Sequence, residues 1–146
     1  MHRTIARVAL RRLALPGLAV AMAAILGSGD VGAQSRKLDE KLAARGRSLT
    51  LMIYEGNLQP IWDGSSATLQ GTLESIERIR EVRQQLLDSL GEETGLVAER
   101  TVRQRDLHIY ERTVTFERTA DSQFVVHWAF DRKGAIQGFT IRPAQP

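Results

Sequence analysis

Four side chains in the last third of the chain are placed to do chemistry together. In "LHIYERTVTF", residues 107–116, alternation puts Tyr110 and Arg112 on the same strand face as Val114 and Phe116. In "QFVVHWAF", residues 123–130, it puts Trp128 with Phe124 and Val126. The expected pairing sets Arg112 opposite Trp128, where a guanidinium stacks on an indole. Gln137, from the following strand, faces Trp128 from the other side. A few polar groups within an apolar surface are what small-molecule sites are made of. An arginine among them favours an anionic or carbonyl-bearing ligand. Arg100 joins from the preceding strand. The alternative is architectural: Arg112 pairs with Glu99 or Glu74 and closes the end of the fold.

Other chemistries find little support. His2 lies in the first residues, His108 follows a turn, and His127 falls on the opposite strand face from Trp128. Each reads as a solvated or rim residue. There is no H-x-x-x-H spacing and no cysteine, so no metal site is expected. G-x-S-x-G, P-loop and G-x-G-x-x-G motifs are missing, and no cofactor is expected. Ser65 and Ser66 follow "DG" as turn and capping residues, with no base beside them. Four arginines lie between Glu99 and Arg112, but Glu99, Asp106 and Glu111 interleave with them. That is a mixed solvated hairpin, and no nucleic-acid surface is expected.

The elements that hold these residues follow from periodicity. Leu38, Leu42, Leu49, Met52 and Ile53 mark one face of a helix from Ser35 to about Tyr54, interrupted by Gly46. Pro60 starts a short helical turn with Ile61 and Trp62 facing inward, and "DGSS" breaks it. A longer helix is clearest from Leu73 to Leu90, with Gly91 as its cap. After Gly95 the period becomes two. Strands are expected at Leu96–Gln104, Leu107–Arg118, Gln123–Asp131 and Ala135–Arg142. Burial of the large apolar residues then pairs Val114 with Val126, Phe116 with Phe124, Trp128 with Gln137 and Val126 with Phe139. Ile136 and Ile141 are expected on opposite faces, and Pro143 ends the pairing. Helices followed by a four-stranded antiparallel meander define an α+β fold.

The front of the chain reads as an export signal over residues 1–33, leaving one domain at 34–146. Arg3, Arg7, Arg11 and Arg12 precede an apolar run from Leu13 to Gly27. "VGA" then supplies small residues, so cleavage is expected between Ala33 and Gln34. The run is shorter than the roughly 20 residues of a spanning helix, so no stable membrane insertion is expected after cleavage. An uncleaved anchor is the alternative. Arg11-Arg12 matches the rest of a twin-arginine signal poorly, which favours Sec export to the periplasm or beyond. A lipid anchor on cysteine is excluded. Four of the 20 basic residues and one of the 17 acidic residues lie in 1–33, which leaves 16 of each in the mature part. The +3 of the whole chain therefore belongs to the signal, and a neutral domain has no field to gather phosphate backbones.

Three stretches resemble the nuclear transport factor 2-like cone superfamily, and within it the secreted domains found alone or in front of α/β-hydrolases and serine hydrolases. They are "YEGNLQPIWD" (54–63), "LLDSLGEETGLVAER" (86–100) and "DRKGAIQGFTIRP" (131–143). The resemblance implies helices packed on a curved sheet with a pocket between them. It adds Tyr54 to Tyr110, Arg112, Trp128 and Gln137 as pocket residues. Catalytic members place acids and tyrosines inside the cone. Here Tyr54 and Tyr110 are the candidates, with no Asp expected beside them, which weighs against catalysis. The expected function is a non-catalytic exported domain that binds a small ligand or a protein partner through its pocket or sheet. One alternative is an accessory or homodimerising module for a cell-envelope hydrolase. Another is a small isomerase or dehydratase using a pocket tyrosine.

Overall fold

The computed structural model describes residues 29–145. The basic and apolar stretches of the expected signal lie outside the described residues. Four helices precede four strands: α1 (Gly29–Glu55), α2 (Gln59–Gly64), α3 (Ala67–Leu73), α4 (Ile76–Leu90), β1 (Glu93–Gln104), β2 (Leu107–Phe116), β3 (Gln123–Phe130) and β4 (Ile136–Pro143). The strands form one antiparallel sheet in the order β1-β2-β3-β4. The fold is α+β, as the change of period from 3.6 to 2 requires.

α1 extends six residues further toward the N-terminus than its periodicity indicates and passes through Ala33 and Gln34. Its buried residues begin at Leu42 and continue with Leu49 and Ile53. Gly46 does not interrupt it. The ring of Tyr110, fully buried, lies so close that a Cβ at Gly46 would sit 2.1 Å from Cδ1 and 2.4 Å from Cγ. The glycine is a point of contact between helix and sheet. Gly46→Ala is therefore expected to destabilise the domain by about 1–3 kcal/mol through overpacking, although alanine is the better helix former. Urea denaturation checks this, and an unchanged or raised midpoint would show that the ring can yield.

The expected long helix after "DGSS" is two helices. Glu74, at φ +64°, stops α3, and α4 restarts at Ile76. Ser66 caps α3 by accepting from Leu69 N, and Ser65 donates to the Ile61 carbonyl. Arg83 of α4 reaches back to α1, where Nε and Nη2 donate to the carbonyls of Ile53 and Tyr54 at 2.7 Å. Both carbonyls lie at the C-terminus of α1, where the Ile53 oxygen also accepts from Gly56 N, so one guanidinium helps cap α1 and ties α4 to it.

Every face of the inner strands is as expected, but both hairpins pair two residues out of the expected register. Val114 lies opposite Phe124, Arg112 opposite Val126, and Tyr110 opposite Trp128. Likewise Phe139 lies opposite Trp128, and Ile141 opposite Val126. The connections account for this. A 3-10 turn, Glu117–Thr119, lengthens the β2–β3 link. The β3–β4 link spans Asp131–Ala135, where the Asp131 carboxylate accepts from the amides of Lys133 and Ala135 and from Gln137 Nε2, and Gly134 takes φ +88°.

A bulge next to Ala129–Phe130 turns Ile136 into the core, fully buried opposite Phe130. It therefore shares the core side with Ile141 instead of opposing it. His108 is a second correction. It is not a rim residue: alternation carries it onto the core face opposite Phe130, 6% exposed. Its Nδ1 has no partner among the described residues.

The two edges of the sheet differ. β1 carries irregularities at Glu93–Gly95 and Leu96–Ala98. β4 is bridged at its first residue, where Ser65 pairs with Ile136 and Ser66 N donates to the Ile136 carbonyl. Beyond that point its outer side has no strand partner among the described residues.

Candidate functional site

The helix-covered face of the sheet holds two places of interest. The first is polar. Arg112 extends from β2 between two glutamates of β1. Its Nη1 donates to Glu99 Oε1 at 2.5 Å, its Nη2 to Glu93 Oε1 at 2.5 Å, and its Nε to Glu93 Oε2 at 3.2 Å. Tyr54 of α1 donates its hydroxyl to Glu93 at 3.0 Å, and Tyr110 donates to Glu99 at 2.5 Å. Arg47 of α1 adds a further bond to Glu99 at 2.9 Å. Two arginines face two carboxylates, so the network is neutral. A pocket of about 270 Å³ lies beside it, bordered by Arg47, Leu51 and Tyr54.

Protonation in this network is fixed. Burial, then the neighbouring Glu93, pushes the Tyr54 hydroxyl well above its ordinary value. Burial, then the bond to Glu99, does the same to Tyr110. The bond to Glu93 raises Arg112 further, against its desolvation. Burial pushes the Glu99 carboxyl up, but Tyr110, Arg47 and Arg112 together hold it below its usual range. Both tyrosines keep their protons and spend them on carboxylates. Neither is poised to give up a proton near neutral pH, and all three nitrogens of Arg112 are engaged.

The second place is apolar. Trp128, fully buried, donates Nε1 to Thr50 Oγ1 at 2.9 Å, and Thr50 in turn donates to the Gly46 carbonyl. The indole forms one wall of a pocket of about 110 Å³. Ile53, Ile61, Leu69 and Ile79 line it from the helices, and Ile136 and Phe139 from β4. Its one polar lining residue is Ser65, whose hydroxyl is already bonded to Ile61.

The residues expected to act together are thus divided. Arg112, Tyr110 and Tyr54 share the polar network, whereas Trp128 belongs to the apolar pocket. Arg112 does not stack on Trp128, because the register places Val126 opposite the arginine. Gln137 is in neither group. It accepts from Ser66 and donates to Asp131, which fixes the β3–β4 loop. Arg100 points to the outer face and pairs with Glu111. Glu99 was legible as the partner of Arg112. Glu93 was not, because the apolar alternation begins only at Leu96, whereas β1 begins at Glu93.

On the outer face His127 sits across from Glu111, 3.5 Å away. Desolvation holds its imidazole below the ordinary range; Glu111 opposes this, and Arg142 and Arg100 add to it. The unfolded chain therefore takes up the His127 proton first as pH falls below 6.5. Glu99, also depressed, contributes stability that is complete above 4.5 and lost below it. Stability is expected to fall on acidification in two stages, the first just under pH 6.5 and the second under 4.5. His127→Gln should abolish the first only. Denaturation midpoints across this range check it, and an upper stage that survives in His127→Gln would assign it elsewhere.

Among the described residues no group of three or more His, Cys, Asp or Glu is arranged to hold a metal, and no helix is long and apolar enough to cross a membrane. No protein-family model, curated protein or solved structure matches the chain.

Proposed function

We propose that this chain is an exported, non-catalytic binding domain of the nuclear transport factor 2-like kind, which takes a small apolar ligand between its helices and its sheet. The observation that carries the reading is the apolar pocket of about 110 Å³ against Trp128, whose only polar lining residue is already satisfied. Apolar cavities in protein interiors stay dry and accept apolar guests. The order of elements, helices and then a four-stranded meander, supports the family reading. The polar network speaks against the isomerase or dehydratase alternative, since its tyrosine protons are committed to glutamates. It speaks equally against an anionic ligand, since an anion would have to displace Glu93 or Glu99 from Arg112.

Xenon tests the pocket. Amide and methyl NMR signals of Ile61, Leu69 and Ile136 are expected to shift with xenon pressure, and Leu69→Trp, which fills the space, should suppress the shifts. No shift at these residues would refute an accessible pocket. Export is tested separately by the N-terminus of the protein recovered outside the cytoplasm, expected at Gln34. Cleavage there would leave the first buried residue of α1, Leu42, in place. A full-length product retained in the membrane would overturn that part.

A further inference from the structure

Val82 of α4 and Phe139 of β4 line two hollows at once. On their inner side is the pocket against Trp128. On their outer side a groove of about 350 Å³ runs between α4 and β4, bordered by Leu86, Leu90, Phe124 and Ile141. Neither hollow has a charged lining residue, and the groove adds only neutral polar groups such as Gln85 and Thr140. Phe139 is half-buried, with its ring 4.5 Å from Trp128 between centroids. Val82 is 37% exposed. The two side chains thus form a wall shared by the smaller apolar pocket and the wider apolar groove.

We infer that the ligand is a linear alkyl chain, which passes its end between Val82 and Phe139 into the inner pocket and lies along the α4–β4 groove. This rests on the pocket reading proposed above and specifies its ligand class. The chemistry of the walls selects the chain. A sugar or a peptide end would carry donors and acceptors into a pocket that offers them no partner, and each unpaired group is costly there. A compact apolar molecule would fill the inner end and leave the groove wet. A chain satisfies both hollows with one shape, and its polar head remains in water at the open end of the groove. Edge strand β4 supplies the floor without supplying a charge until Arg142, past the groove.

The test is a series of straight-chain 1-alkanols, from butanol to dodecanol, titrated against the whole domain by NMR in competition with xenon. Affinity is expected to tighten about fourfold per added methylene, then level off once the groove is full, with xenon displaced throughout. Val82→Trp, at an exposed helix position, should remove the chain-length dependence. Leu86→Gln with Leu90→Gln should make the affinity level off at a shorter chain. If xenon binds but the alkanols neither compete nor show length dependence, the alkyl-chain inference fails and the pocket reading stands. If xenon does not bind either, the pocket reading itself has failed and takes this inference with it. Length dependence that persists unchanged in Val82→Trp would place the chains elsewhere and also overturn the inference.

Discussion

Replacing Trp128 by alanine is expected to remove about 3–5 kcal/mol of folding stability, a large share of the roughly 5–15 kcal/mol that holds a domain of this size together. The indole is fully buried, packs on Phe139, and reaches across the core to Thr50 of α1. It is the place where α1, β3 and β4 meet. Alanine leaves a void continuous with the existing pocket, which the surrounding helices cannot close without moving off the sheet. Trp128→Phe keeps most of the volume and loses the bond to Thr50, about 1 kcal/mol. The thermal midpoint of Trp128→Ala should fall by roughly 12–20 °C, with a smaller fall for phenylalanine. Equal losses in the two variants would mean that the hydrogen bond, and not packing, carries the residue.

Arg112→Met is expected to cost about 3 kcal/mol, the low end for breaking a buried ion pair, because solvent still reaches its edges. The methionine preserves the aliphatic stem, so the loss isolates the charge. Glu93 and Glu99 are then left facing one another, with only Arg47 to offset them. The cost should shrink in acid. As pH falls below 4.5 and through the lowered range in which Glu99 is held, a protonated Glu99 no longer needs the guanidinium, and the gap to wild type narrows. Adding Glu93→Gln and Glu99→Gln to Arg112→Met should recover most of the loss at neutral pH. Acetate and phosphate are expected to leave the melting temperature of the wild type unchanged. A shift with either anion would restore Arg112 as a ligand-reading residue.

Burial of Phe116, Val126 and Trp128 fixes which face of each strand looks inward, and every such assignment is met. Burial cannot distinguish two registers that differ by two residues, because the side-chain period is itself two. That choice is made by the connections: the 3-10 turn after Phe116 and the loop gathered around the Asp131 carboxylate. Neither leaves a periodic trace. The same limit divided the candidate site. Placing Arg112 beside Trp128 needed the right register and not only the right face. The displacement by two put Tyr110 beside the indole and sent the arginine to its glutamates. Gly46 is the opposite case. In isolation it weakens a helix, and its reason becomes visible only when the Tyr110 ring is seen against it. His108 misled for a related reason: proximity to a turn suggested exposure, but the alternation counted back from Tyr110 already placed it inside.

The unequal edges of the sheet bear on how the protein fails when it partly unfolds. β1 is kinked twice and carries several arginines and glutamates, so a foreign strand meets broken spacing and charge. From Gly138 to Ile141 β4 is regular, uncharged and flanked by the apolar groove. Stray β-pairing recruits flat, neutral edges of this kind. Aggregation at high concentration would therefore grow from one side of the molecule. A single lysine at Thr140, which points outward, would act as a gatekeeper at little cost to the fold.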